Sequence, residues 1–407
     1  MTSRDDVVKL YGHHVSQATA RLAEHTGLPV EAHSDGARVW DDTGRSYLDC
    51  GGYGVFLLGH RHPTVVAALH AQLDRNPLAT RGLLSAELAT ASARLAGIAP
   101  PGLDYVYLAN TGAEAVETAL KLARAGGRRR IISMRGGFHG KTLGALSITD
   151  RPVFQQPFRP LLPDVSVIPY GDVAALTSAL DEDPAPACVV VEPVQGEGGV
   201  RIPPAGYLAA VAAACRDAGA FLVVDEIQTG TGRLGGSWWG CDREGVTPDL
   251  LLAGKSLGGG CMPVSAVIGT ADAFRPLNRN ARIHSSTFAG SPLAAVAVST
   301  TLDVIERDGL LARTEALGGA LLSGFQAAPR PAAVRDIRGR GLLLGVELTS
   351  PAAANSLLTA LRARGVLAAA TLSADLVVRL SPPAVLTDAE AEEVIAAFRD
   401  SLADLPA

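Results

Sequence analysis

Phe221-Leu222-Val223-Val224-Asp225-Glu226-Ile227-Gln228-Thr229-Gly230, residues 221–230, decides the fold. Its first four residues are apolar on both faces, as in a strand buried inside a largely parallel sheet. Asp225 then stands at the carboxyl end of that strand, where open α/β sheets gather their ligands. Six further runs read the same way: Tyr105–Ala109, Ile131–Met134, Ser166–Tyr170, Cys188–Glu192, Leu250–Ala253 and Val264–Gly269. Helical patterns at Ala113–Arg124, Val173–Leu180 and Tyr207–Ala218 lie between them. The alternation predicts an α/β class with a mostly parallel seven-stranded sheet.

Beyond this block the pattern changes. Pro292–Arg307 and Leu310–Gln326 read as long helices. Strands Val334–Ile337 and Leu342–Glu347, a helix near Ala353–Arg364, a strand Leu376–Leu380 and a last helix Asp388–Leu402 follow. That order predicts a smaller α+β domain over residues 299–407, after a large domain at 51–298. Residues 1–50, with a strand at Arg38–Trp40 and a turn at Asp42–Gly44, are expected to pack with the smaller domain.

Composition excludes several classes. The 407 residues are 47% hydrophobic and 19% charged, which is incompatible with general disorder. With 36 Lys+Arg against 41 Asp+Glu, the net charge of −5 gives no attraction to nucleic acid or to an anionic membrane. Arg128-Arg129-Arg130 reads as a solvated loop entering a strand. No apolar run reaches the ~18 residues of a membrane helix. The first residues lack an apolar signal core, so a soluble cytoplasmic protein is expected. Five widely spaced cysteines without a C-x-x-C pair argue against a disulfide framework and a thiolate zinc site. His60-x-His62 is read as a loop ordering a helix start at Pro63, with no metal expected. The 44 glycines imply many tight turns, or backbone brought close to a ligand.

Three glycine-rich stretches compete as ligand loops. Gly230-Thr231-Gly232-Arg233-Leu234-Gly235 matches GxGxxG, but Ser237-Trp238-Trp239-Gly240 follows instead of a dinucleotide helix. Gly339-x-Gly341 opens a strand-like run. Gly136-Gly137-Phe138-His139-Gly140-Lys141-Thr142 is one residue short of a Walker A loop, which keeps a nucleotide-binding protein as an alternative. Asn110-Thr111-Gly112-Ala113-Glu114 follows a strand and opens a helix. It reads either as a phosphate site at a helix N-terminus or as an ordinary cap, with Thr111 capping and Glu114 at the capping-box position.

Thirty positions after Asp225, Leu252-Ala253-Gly254-Lys255-Ser256-Leu257-Gly258-Gly259-Gly260 places one lysine among apolar residues and glycines. Such a lysine either snorkels or is used chemically. Desolvation lowers its pKa and favours Schiff-base chemistry. A lysine, a phosphate loop and a strand-end aspartate together form the set that pyridoxal phosphate (PLP) requires.

In order and spacing these motifs resemble the class III aminotransferases, PLP enzymes of fold type I, over nearly the whole chain. The matching segments lie at 110–124, 136–147, 191–200, 224–233, 252–263 and 286–294. Phe138 through Pro163 and the late Val366–Pro383 are similar to the putrescine (diamine) branch; ornithine, acetylornithine and 4-aminobutyrate enzymes match more loosely. The resemblance implies that Lys255 holds the cofactor and shuttles the proton, and that Asp225 pairs with the ring nitrogen. It also implies cofactor contacts from Thr111, Gly112, Ala113, Phe138, His139, Glu192, Ile227, Gln228, Ser286 and Thr287. Thr287 would reach a neighbouring subunit's site, so a homodimer is implied, with a tetramer as the alternative. Glu197 and Arg379 resemble the family's switch pair. By that likeness Glu197 neutralises Arg379 in the amine half-reaction, and Arg379 then clamps the carboxylate of 2-oxoglutarate. Tyr53 is expected at the substrate entrance. Lys141 stands where ornithine and 4-aminobutyrate enzymes usually carry arginine, which weakens carboxylate recognition there. The implied reaction is ping-pong transfer of a terminal amino group from a diamine or related small amine to a 2-oxoacid. An ornithine-type or specialised-metabolite aminotransferase, and a non-transaminating relative, stand as alternatives.

Overall fold

A computed structural model describes residues 3–80 and 82–405. Its central sheet has seven strands: β1 Tyr105–Ala109, β2 Arg130–Met134, β3 Val165–Ile168, β4 Ala187–Val191, β5 Phe221–Asp225, β6 Leu250–Ala253 and β7 Ser265–Gly269. Their spatial order is β1-β7-β6-β5-β4-β2-β3. β2 to β6 pair in parallel, while β7 runs antiparallel between β6 and β1. β1 and β5 keep the bounds read from the sequence. The third strand does not reach Tyr170, whose hydroxyl instead donates to the carbonyls of Glu192 and Pro193 at 3.0 and 3.1 Å.

Strand alternation builds two cores from one strand. Val223 packs with Ile131, Val190 and the helix Gly112–Ala125 on one face. Leu222 and Val224 face the other, against the helices Ala86–Ile98, Tyr207–Asp217 and Pro292–Arg307. All five residues of β5 are buried, so covering both faces explains the unbroken apolar run. The basic triplet is less solvated than expected. Arg128 lies over the Phe221 ring at 3.3 Å, and Arg130 donates to the carbonyls of Ala179 and Asp183. These aromatic and carbonyl partners hold their half-buried stems to the surface.

The C-terminal part forms an antiparallel four-stranded sheet from Val334–Arg340, Leu343–Leu348, Val377–Leu380 and Ala369–Ala370. Strands Glu31–Asp35, Arg38–Asp41 and Ser46–Asp49 form a further sheet that Val366–Leu367 joins in parallel. Arg38 reaches across to Glu390 and Glu393 at 3.0 and 2.9 Å. The helix Pro292–Arg307 runs unbroken through position 298: Val298 and Leu302 belong to the large-sheet core, Val304 and Ile305 to the C-terminal one. A boundary at 298/299 thus falls inside a helix shared by both cores. No helix among the described residues is long and apolar enough to cross a membrane.

Candidate active site

The carboxyl edge of the large sheet brings five loops together. A cavity of about 220 Å³ lies there, lined by Gly112 and Ala113 after β1, Phe138, His139 and Gly140 after β2, and Glu192 after β4. Asp225, Ile227 and Gln228 of the β5 end and Lys255 after β6 complete it. The lysine follows β6 directly, with φ +47°, a left-handed conformation that a non-glycine residue adopts at a cost. Burial depresses its amine from 10.5 to about 8; Glu197, Asp225 and Glu192 pull the other way, and Arg379 adds to the depression. A substantial neutral fraction therefore exists near physiological pH, as a nucleophile or base requires.

Asp225 is 4% exposed and ends its strand with both carboxylate oxygens engaged. Oδ1 accepts from the Ile227 N–H at 3.1 Å, and Oδ2 lies 2.7 Å from His139 Nδ1. An ionised carboxylate only accepts, so this contact puts a proton on Nδ1. Burial opposes charge on His139, but the Asp225 bond and the charges of Asp225 and Glu192 outweigh it and raise its pKa. Glu192 accepts from the N–H of Phe138 at 3.0 Å and of Gly196 at 3.4 Å. Burial lifts its pKa to about 7, with His139 and those two N–H groups opposing and Asp225 adding to the rise. Arg233, fully buried, donates to the carbonyls of Gly54, Leu342 and Pro382, and so ties three segments together beneath the site.

The residues suit PLP on several counts. Thr111 caps the helix Gly112–Ala125 by accepting from the Glu114 N–H at 3.1 Å, which leaves the Gly112 and Ala113 N–H groups without intrahelical acceptors at the cavity. Glu114 does not close a capping box. Its carboxylate reaches back to the backbone and side-chain nitrogens of Asn110, both at 2.8 Å, because Asn110 offers two donors together. At Gly112 a Cβ would stand 3.1 Å from two Ile227 carbons, so glycine lets the helix start close over the β5 end. Gln228 is 8% exposed, and its Nε2 has no partner among the described residues; a phenolic oxygen would satisfy it.

The other expected residues are distributed around this cavity. Glu197 and Arg379, 2% and 0% exposed, form a hydrogen-bonded ion pair. Burial opposes ionisation of Glu197, but Arg379 and Lys255 hold its pKa below the usual value. Tyr53 is 59% exposed on the turn Gly52–Gly54, so it is not a core aromatic; the neighbouring Gly54 faces Gln228 and Lys255. Lys141 does not line the cavity: its Nζ rests 4.1 Å over the Phe154 ring. Ser286 accepts from Asn110 Nδ2 at 3.0 Å. Thr287 lines a different cavity of about 290 Å³, with Leu83, Leu84, Leu88 and Phe288. His60 is bound to Asp49 at 2.8 Å and stacked on Phe56.

A strand-end aspartate, a buried lysine of lowered pKa and a helix N-terminus on a seven-stranded sheet of this order define a fold type I PLP-dependent transferase. Residues 20–402 match the family model for aminotransferase class III, and the chain belongs to that family. It is 35% identical to the ornithine aminotransferase of Toxoplasma gondii, covering 99% of this chain and 96% of that one with a TM-score of 0.90. An (S)-enantioselective omega-transaminase from Thermomicrobium roseum is 29% identical, with 99% of each chain covered and a TM-score of 0.92. The adenosylmethionine-8-amino-7-oxononanoate aminotransferase of Methanocaldococcus jannaschii, 24% identical at a TM-score of 0.90, shares the fold. The protein is a PLP-dependent aminotransferase.

Proposed function

We propose that this aminotransferase moves the terminal amino group of a diamine to 2-oxoglutarate, giving an aminoaldehyde and glutamate in a ping-pong cycle. When bound, the cofactor supplies the electron sink that lets the carbon bearing the amine release a proton. Lys255 Nζ takes that proton and returns it, a role suited to an amine held near pKa 8. Asp225, fixed by Ile227 and His139, would pair with the cofactor's ring nitrogen and keep it protonated. Glu197 neutralises Arg379 while the amine is present. Arg379 then takes the carboxylate of the acceptor.

The observation that carries the diamine assignment is the place of Lys141. Its ammonium sits on Phe154, no arginine is among the described residues lining the cavity, and Arg379 beside it is engaged by Glu197 while the amine is present. A donor whose distal end is a carboxylate would miss the bidentate fork that arginine supplies. A second reading, an ornithine-type donor, is favoured by the 35% identity to the Toxoplasma enzyme. The deciding experiment follows glutamate formation from 2-oxoglutarate with putrescine, cadaverine, ornithine and 4-aminobutyrate. Preference for the two diamines is expected. Turnover of ornithine or 4-aminobutyrate with none of putrescine would overturn the proposal.

A further inference from the structure

Glu197 is held twice, and only one of its holders is the arginine. Oε1 accepts from Arg379 Nη1, while Oε2 accepts from the backbone N–H of Leu372 at 3.0 Å. The Glu197 carbonyl also accepts from the Ser373 N–H at 3.0 Å. Leu372 and Ser373 belong to the turn joining Ala369–Ala370 to Val377–Leu380. Thr371 closes that turn, donating from Oγ1 to the Ala374 carbonyl at 2.6 Å and from its N–H to the Val377 carbonyl at 3.2 Å.

The outer side of the turn is tethered as well. Arg151 Nη2 contacts both oxygens of Asp375, at 2.7 and 2.8 Å, and its Nη1 reaches the Ser373 carbonyl at 3.5 Å. Asp375 is open to solvent, its side chain 62% exposed, so this pair contributes little to general stability. Arg379 does not depend on the tether. It sits on the strand Val377–Leu380, in register between Gly345 and Ala369. The turn therefore positions the acid of the buried pair and leaves the base fixed by the sheet. Arg379 Nε and Nη2 have no partners among the described residues, leaving donors for an incoming carboxylate.

We propose that the turn 371–375 is a latch on Glu197, and that the Arg151–Asp375 pair sets how readily Glu197 releases Arg379 to a dicarboxylic 2-oxoacid. The proposal rests on the reading that Arg379 receives the acceptor's carboxylate. For Glu197 to leave Arg379, Oε2 must also abandon the Leu372 N–H. That N–H then loses its acceptor unless the turn opens to water. A tethered turn opposes this release, and a loosened one permits it. Arg151 and Asp375 are thus positioning residues for the second half-reaction. Neither lines the cavity around Lys255, although Arg151 also stands 6.0 Å over the Phe154 ring that seats Lys141.

The test uses the PLP-loaded enzyme and follows the two half-reactions separately. Asp375→Asn is expected to lower KM for 2-oxoglutarate about three- to tenfold, and to leave the single-turnover rate with the amine within about twofold. Arg151→Gln should lower that KM as well; because Arg151 shares the Phe154 ring with Lys141, the unchanged amine rate is asked of Asp375→Asn alone. Arg379→Gln serves as the control and should raise that KM by at least about a hundredfold. If Arg379→Gln raises KM but Asp375→Asn leaves it unchanged or raises it, the latch is overturned and the role of Arg379 stands. If Arg379→Gln leaves KM unchanged, the underlying reading fails and the latch with it. Amide hydrogen exchange gives a readout independent of turnover. Saturating glutarate, a dicarboxylate that cannot react, should speed exchange at Leu372 and Ser373; unchanged protection there would overturn the latch.

Discussion

Gln228 and Lys141 show how one side chain's surroundings decide its use. The Gln228 Nε2 donor is buried without a partner among the described residues, a state that native interiors rarely tolerate. Replacing Gln228 by leucine keeps the volume and removes the donor. PLP affinity should fall about tenfold, measured by fluorescence titration of the apoprotein; unaltered affinity would show that the amide does not meet the cofactor. Lys141→Arg introduces the planar fork that a distal carboxylate would need. The ratio of kcat/KM for ornithine over putrescine is expected to rise about tenfold, and a ratio that stays constant would remove Lys141 from donor selection. Both side chains could be named from motif likeness, but their states could not. The cation–π seat on Phe154 and the orphaned amide arise from neighbours that no local pattern encodes.

At the scale of elements, loops are specified by what they must avoid. A Cβ on Gly196 would lie 1.9 Å from Gln228 Oε1, so the turn after Glu192 needs glycine to let the amide sit over it. Gly196→Ala should therefore preserve the fold and weaken PLP binding by displacing Gln228; normal binding with normal absorbance would contradict that packing. Gly318, on the helix Leu310–Ala327, approaches the Gly341 carbonyl so closely that a Cβ would stand 2.2 Å away. Gly318→Ala should cost about 1–3 kcal/mol in denaturant unfolding while leaving donor preference untouched. The sequence predicted the strands and the loops at their carboxyl ends well, because buried parallel strands leave an unbroken apolar run and Asp225 and Lys255 interrupt two of them. It did not disclose that His139 grips Asp225 across 86 positions, or that Arg233 binds Gly54 across 179. Periodicity carries information over a few residues, and contacts at such separations exist only once the sheet has assembled. Glu114 marks the same limit at short range: its spacing fitted a capping box, yet the Asn110 donors captured it.

For the molecule as a whole, surface and charge each carry a prediction. Leu83, Leu84 and Phe288 are 78%, 103% and 59% exposed beside the cavity that contains Thr287. We propose that these adjoining open apolar side chains form an association surface between two copies of the chain, as in a homodimer. Light scattering should give twice the mass of the chain, and Leu84→Glu should shift it toward the monomer; a fully active monomer would exclude that assembly. The second concerns the pH response of the buried acids around Lys255. Burial lifts the folded pKa of Glu192 from 4.5 to about 7, so the folded protein favours the protonated acid. The resulting contribution to stability is complete below 4.5, and it is lost as pH rises through about 7. Glutamine resembles the protonated acid in shape and keeps an oxygen for the Phe138 N–H, but it cannot ionise. Glu192→Gln should therefore gain in Tm relative to the parent as pH rises from 5 to 8, by roughly a few degrees. Melts of both proteins at equal PLP saturation measure this directly. A difference that stays flat across that range would mean that Glu192 titrates as an ordinary exposed carboxylate, and that its burial is relieved by a partner other than His139 and the two backbone N–H groups.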